Sequence, residues 1–156
     1  MINKTTLLAI RTLTHMGQQS ANAVRSPRQM AEALNESPTY LAKVTRLLAK
    51  AGILRAEKGV RGGVYLGRVP GDITLLQIVE ACQGAIVAAH CRPDCDKRGI
   101  CSYHLAAEQL RTAIVGVLSE WTLSGLMERP SSRRMASVPG LVCLMAGRQP
   151  MTAAMR

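Results

Sequence analysis

The apolar positions change period along the chain, and those changes mark out its elements. Across residues 6–18, Leu7, Ile10, Leu13 and Met16 recur at near-helical spacing, which predicts an amphipathic first helix closed by Gly17 and the polar run 18–22. Two further helices start alike. Ser26-Pro27-Arg28-Gln29 places Ser as N-cap, Pro at the first helical position and Gln three residues after the Ser, the layout of a capping box. Ser37-Pro38 repeats the start after a turn around Asn35-Glu36, and Gly52 closes this second helix. On that helix Leu41, Val44, Leu48 and Ala51 share one face, while Thr39, Lys43, Arg46 and Lys50 share the opposite one.

After Gly52 the pattern turns strand-like. Residues 53–57 and 64–66 are short strand candidates around the glycine-rich turn Lys58-Gly59-Val60-Arg61-Gly62-Gly63, a hairpin beside a helix-turn-helix and so a wing. Pro70-Gly71-Asp72 is a turn, and Thr74 can cap a helix that carries Leu75, Ile78, Val79 and Cys82 on one face and stops at Gly84. Cys82 is expected in the core. From Ser102, read as an N-cap, a long helix runs to about Ser119, with Leu110, Ile114, Val117 and Trp121 on one stripe. Residues 113–118 are apolar around most of the helix and need cover on more than one side. A second subunit supplies that cover most economically, so the stripe is the candidate dimer contact; a core helix in a monomer is the alternative. Residues 121–127 are expected to form a short terminal helix.

The chain thus reads as mainly α: a winged helix-turn-helix with a small β-hairpin wing and a long C-terminal dimerisation helix. Its expected divisions are a DNA-binding region (1–68), a linker helix with a cysteine loop (69–101), the dimerisation and terminal helices (102–128), and a basic, flexible tail (129–156). Composition agrees, since 47% of residues are hydrophobic, none is Phe and only 3% are aromatic, so aliphatic side chains must fill the interior. No apolar run approaches the roughly 20 residues that span a bilayer, and residues 1–6 lack the layout of a signal peptide. A cytoplasmic location without membrane contact is expected, where cysteines stay reduced.

The net charge of +10 is unevenly placed: +8 over residues 1–68, −3 over 69–128 and +5 over 129–156. Positive charge concentrated in the winged half is the footprint of a polyanion. The polar face Thr39, Lys43, Arg46 and Lys50 holds no carboxylate, whereas an ordinary solvated helix mixes Glu with Lys. Phosphate and base contact explains it better. The candidate DNA-binding residues are Arg28, Ser37, Thr39, Tyr40, Lys43, Arg46 and Lys50, with Lys58, Arg61 and Gly62 in the wing. The wing turn lacks the Gly-Lys-Ser/Thr ending of a nucleotide-binding loop.

Residues 90–104 read His-Cys-Arg-Pro-Asp-Cys-Asp-Lys-Arg-Gly-Ile-Cys-Ser-Tyr-His. Cys91 and Cys95 enclose three residues, Cys95 and Cys101 enclose five, and His104 follows at i+3. Thiolates this close can converge on one metal or cluster, with Pro93 and Gly99 turning the chain. Three Cys and one His also make a tetrahedral zinc set. An enzyme is not expected, because Cys–His catalysis needs an orienting Asn or Asp and an oxyanion hole that no motif outside the loop supplies.

These residues resemble the bacterial winged-helix regulators that include the iron–sulfur cluster regulator and the nitric-oxide-sensing repressor. The resemblance covers about residues 6–127. It rests on Ala9-Ile10-Arg11-Thr12-Leu13, Ser37-Pro38-Thr39-Tyr40-Leu41, Ala51-Gly52-Ile53-Leu54, residues 59–66 in the wing, Ile73-Thr74-Leu75, Ile78-Val79-Glu80-Ala81 and the cysteine loop. It implies a homodimeric transcriptional regulator on a palindromic double-stranded operator, sensing redox state, nitric oxide or iron supply through an iron–sulfur cluster. His104 matches the fourth ligand of the 2Fe–2S type, and no Asp precedes Asp72 to match that of the nitric-oxide type. The resemblance therefore leans toward 2Fe–2S on Cys91, Cys95, Cys101 and His104, with 4Fe–4S and another fourth ligand open. The Cys91–Cys95 spacing is shorter than the family more often shows, which makes His90 a substitute for the first ligand. Alternatives are a winged-helix regulator with structural zinc or a thiol switch, and a winged-helix module that binds an acidic protein.

Overall fold

A computed structural model describes residues 2–19, 23–59, 62–86 and 102–128. Helix α1 (Lys4–Gln19) is the centre of the fold, packed by α2 (Pro27–Leu34), α3 (Pro38–Lys50), α4 (Leu75–Gln83), α6 (Leu123–Met127) and strand β2 (Gly63–Leu66). This central place explains why α1 buries Leu8, Ala9, Ile10, Leu13 and Met16, a wider arc than the expected stripe, and leaves Leu7 half-buried. It also starts two residues earlier than the apolar pattern suggests. The Asn3 side chain accepts from the Thr6 amide at 2.8 Å, which caps the helix.

Helices α2 and α3 form the helix-turn-helix, with Asn35 left-handed at φ 52° in the turn. Ser26 and Ser37 precede them with extended backbones, but neither hydroxyl makes a capping bond, and the expected capping box with Gln29 is absent. Pro27 and Pro38 have already set the entry angle, and the exposed backbone at Arg28, Gln29 and Thr39 can be served by water. The true capping box is at Thr74, whose hydroxyl accepts from Gln77 N while the Gln77 side chain accepts from Thr74 N. Gly84, at φ 85°, ends α4.

Strand β1 (Leu54–Glu57) pairs antiparallel with β2 in the register Leu54 to Leu66 and Glu57 to Gly63. The wing has a further edge that the sequence pattern did not show. Arg25 exchanges two backbone hydrogen bonds with Val64 (2.8 and 2.9 Å), fixing the entry to α2 against the hairpin. The apolar side chains of β1 and β2, Leu54, Val64 and Leu66, join Leu13, Met16, Met30, Leu41, Leu48 and Ile53 in one core. Each fully buried Leu or Ile stabilises the fold by about 1.5–3 kcal/mol relative to exposure. Cys82 lies at the edge of this core, half-buried instead of fully enclosed.

Helix α5 (Ser102–Glu120) is followed by a backbone clamp in place of immediate helix. Thr122 bridges Thr74, with Leu75 N on Trp121 O at 2.7 Å and Leu123 N on Ile73 O at 2.8 Å. Trp121 and Thr122 are thereby drawn out of the expected terminal helix, and Thr122 instead caps α6 by accepting from Gly125 N. The cysteine loop through Cys101 and the tail 129–156 lie outside the described residues.

Candidate nucleic-acid interface

The exposed polar face of α3 follows from how the helix is buried. Leu41, Val44, Thr45 and Leu48 turn inward, and Thr45 satisfies its hydroxyl on Ala42 O at 3.1 Å. Thr39, Lys43, Arg46 and Lys50 are exposed on the other side. Ala51, expected on the inner face, is instead the exposed C-cap, because the helix ends at Lys50 and Gly52 takes a left-handed φ of 70°. Ser37 is exposed at the helix entry.

Tyr40 sits differently from its neighbours. Its hydroxyl lies 2.9 Å from Thr5 Oγ1, and the Lys4 ammonium stands 5.9 Å from its ring centroid. It therefore braces α3 on α1. Arg28 on α2 is exposed and pairs with Glu32 at 3.5 Å, an i,i+4 contact between groups so open to water that little energy opposes its release to a phosphate.

In the wing, Lys58 is exposed and Arg61 lies outside the described residues. Gly62 is there for space: a Cβ at this position would meet Glu57 O at 2.4 Å, and its amide donates to Gly59 O at 2.9 Å. Arg55 on β1 adds an exposed cation. Sequence reading also missed Arg25 and Arg68. The buried Nε atoms of both have no hydrogen-bond partner among the described residues. Two of the three carboxylates of the winged half are already committed, Glu32 to Arg28 and Glu36 to Arg11. The result is a surface rich in unopposed cations on the helix face and wing that together can straddle a groove.

Helix α5 presents two faces. His104, Ala107, Glu108, Arg111, Ile114, Val115 and Leu118 are half-buried or buried and recur at helical period, which makes them its inward, less exposed face, with the Glu108 and Arg111 side chains still open to water. Leu110 (61% exposed) and Trp121 (44%) face away, and Val117 (56%) is exposed at the rim of the cleft between α4 and α5. Of the expected dimer stripe, Ile114 therefore sits at the inner edge and the other three are exposed. Beside it Ile2, Val79, Ile86, Ala113, Ile114, Val117 and Leu118 line an apolar cleft of about 400 Å³ between α4 and α5.

The sequence matches the profile of the Rrf2 family, described as an iron-dependent transcriptional regulator, over residues 2–129. The chain belongs to the Rrf2 family. It is 27% identical over 123 residues to the HTH-type transcriptional regulator NsrR of Halalkalibacterium halodurans, spanning 76% of this chain and 84% of that one. It is 28% identical over 121 residues to the regulator IscR of Vibrio atlanticus, spanning 74% and 70%. Among solved structures, CymR, the global cysteine regulator of B. subtilis, matches with a TM-score of 0.66 at 25% identity over 81% of this chain and 95% of CymR.

The Rrf2 assignment makes this chain a DNA-binding transcriptional regulator, as its relatives are, and not an enzyme. The winged helix-turn-helix expected from the pattern is the fold of this Rrf2 chain. No helix among the described residues is long and apolar enough to cross a membrane.

Proposed function

We propose that this Rrf2 regulator acts in the cytoplasm as a homodimer on a palindromic operator and senses redox state, nitric oxide or iron supply through an iron–sulfur cluster. The DNA half of the reading rests on the exposed, carboxylate-free face of α3. Two such helices, related by a two-fold axis, would enter successive major grooves, with Thr39, Lys43, Arg46 and Lys50 near base edges and phosphates and each wing, with Lys58 and Arg61, on the backbone. The dimer half rests on Leu110, Val117 and Trp121, whose exposure leaves a long apolar stripe to be covered.

The sensor half rests on where the cysteine loop joins the fold. Helix α5 begins at Ser102, directly after Cys101 in sequence, so His104 stands in its first turn, half-buried on the inward face. Three thiolates and one imidazole are a donor set that suits a cluster, and Cys91, Cys95, Cys101 and His104 would hold it, as 2Fe–2S or, with another fourth ligand, 4Fe–4S. When bound, the group supplies one-electron redox chemistry and reactivity toward small oxidants. The chain's own part is mechanical. One end of α4 is clamped through Thr74 and Thr122 to the segment that directly follows α5, and the other leads in sequence toward the cysteine loop, so a change in the loop can reset α5 against the winged half. A hundredfold change in DNA affinity needs about 2.8 kcal/mol of preference between arrangements, within the range of ordinary allosteric coupling.

The likeness to CymR, a global cysteine regulator, supports a second reading, in which the loop cysteines form a thiol-based switch; structural zinc on the same residues is the other alternative. Anaerobic purification followed by iron, acid-labile sulfide and visible absorption measurements separates the readings. Iron and sulfide in stoichiometric amounts with a coloured protein support the cluster. A colourless protein, with or without zinc, overturns it.

A further inference from the structure

The inward face of α5 changes character half-way along. Its C-terminal half is apolar, with the half-buried Ile114 and Val115 and the buried Leu118, while its N-terminal half carries His104, Glu108 and Arg111. At 3.6 residues per turn these three fall within about 60° of one another, next to the buried Leu118 and well away from Leu110. Arg111 Nε donates to both carboxylate oxygens of Glu108, at 2.9 and 3.0 Å, and Nη2 adds a third hydrogen bond to Oε1. A carboxylate gripped in this way cannot swing freely, yet it keeps lone pairs to accept from another donor. His104 lies one turn before it, at the i,i+4 spacing where side chains on a helix meet.

We propose that Glu108, clamped by Arg111, is a positioning residue for His104: its carboxylate accepts a hydrogen bond from the imidazole nitrogen that does not face the metal. The inference rests on His104 being a cluster ligand as read above. Ligating histidines commonly donate their second ring N–H to a carboxylate, which fixes the tautomer and raises ligand basicity. Glu108 suits that task because the Arg111 guanidinium grips its carboxylate and holds it in place, one turn from the ring, with lone pairs to spare. Arg111 would then act one step further out, holding the carboxylate while Glu108 holds the ring. An ordinary surface Glu–Arg pair would share the same geometry, but it would leave a cluster indifferent to its removal.

The test uses the full chain, reconstituted anaerobically with ferrous iron and sulfide. Glu108→Gln preserves size and helix propensity, so far-UV circular dichroism should match the parent. It should keep its iron and sulfide, show a more positive midpoint potential when titrated with dithionite, and lose iron to a ferrous chelator about tenfold faster. Arg111→Gln should shift both in the same direction by less. In a His104→Cys background, which has no imidazole to position, Glu108→Gln should change neither. A parent-like potential and rate in Glu108→Gln, or an undiminished shift in the His104→Cys background, overturns the proposal while leaving the cluster reading intact. A parent protein that takes up no cluster overturns both.

Discussion

Arg11 on α1 reaches Glu36 in the turn of the helix-turn-helix, Nη1 to Oε1 at 2.9 Å, and its Nη2 donates to Leu34 O at 3.1 Å. Both side chains are largely shielded, at 17% and 21% exposure. One guanidinium thus satisfies a carboxylate and the C-terminal end of α2 together, at the point where Asn35 turns left-handed. The angle between α2 and α3, and with it the presentation of α3's exposed polar face, is braced from α1. Tyr40 adds a second strut from the first turn of α3 to Thr5.

Arg11→Ala should therefore destabilise the domain by about 1–3 kcal/mol, because it strands a half-shielded carboxylate and an acceptor carbonyl. Glu36→Gln, which keeps an acceptor, should cost less. Thermal unfolding of the three proteins checks the order; equal midpoints would mean that the pair contributes nothing.

Most of the architecture was legible in the sequence, because helical periodicity and Pro, Gly and Asn punctuation are local signals. Ser-Pro starts placed α2 and α3, and Gly52 and Gly84 ended α3 and α4 where expected. What escaped was long-range. The Arg25–Val64 and Thr74–Thr122 bridges join residues 39 and 48 positions apart, and no window of sequence announces them. Pattern also misjudged caps: a Ser before Pro looks like a capping hydroxyl, but a proline that already sets the entry angle makes the bond dispensable. For the candidate site, the α3 face could be read from periodicity and charge alone. The buried Nε atoms of Arg25 and Arg68, without a hydrogen-bond partner among the described residues, could not, since burial and pairing depend on neighbours brought in by folding.

Lys43→Ala and Arg46→Ala should weaken operator binding without altering stability or any visible absorption. If Lys43 meets a phosphate, its removal should lower affinity similarly on all sequences and reduce the salt slope by about one. If Arg46 reads a base edge, its removal should cost about 1–3 kcal/mol on the operator and far less on unrelated DNA. Titrations on both DNAs at several salt concentrations distinguish the two; unchanged affinity in both variants would remove α3's polar face from the interface.

Cys82 offers a pH test of the core edge. Burial pushes its thiol up, opposed in part by a hydrogen bond with Thr6. The folded state then disfavours the thiolate more than the unfolded chain does. Its contribution to stability is complete below the unfolded thiol pKa, near 8.5, and is lost as pH rises through the raised folded value. Unfolding midpoints measured from neutral to strongly alkaline pH should fall more steeply for the parent than for Cys82→Ala above that point. Parallel curves would show that the thiol titrates alike in both states.

The exposed stripe of α5 gives the sharpest test of assembly. Leu110 and Val117 on α5, a helix about 28 Å long, and Trp121 directly after it together leave a large apolar surface, and of α5 only Leu118 is fully buried against its own domain. Each is already exposed in the single chain, so a charge there costs the isolated fold little. In a two-fold dimer the same charge appears twice, close to the axis and facing apolar neighbours or its own copy. Leu110→Glu or Val117→Glu should therefore halve the mass seen by sedimentation while far-UV circular dichroism keeps its helical form. Operator affinity should fall more than the removal of a single phosphate-binding cation explains, because two half-sites no longer bind as one unit. If both variants sediment like the parent, whatever its mass, α5 is not the subunit contact, and the apolar stripe must be covered from within the chain.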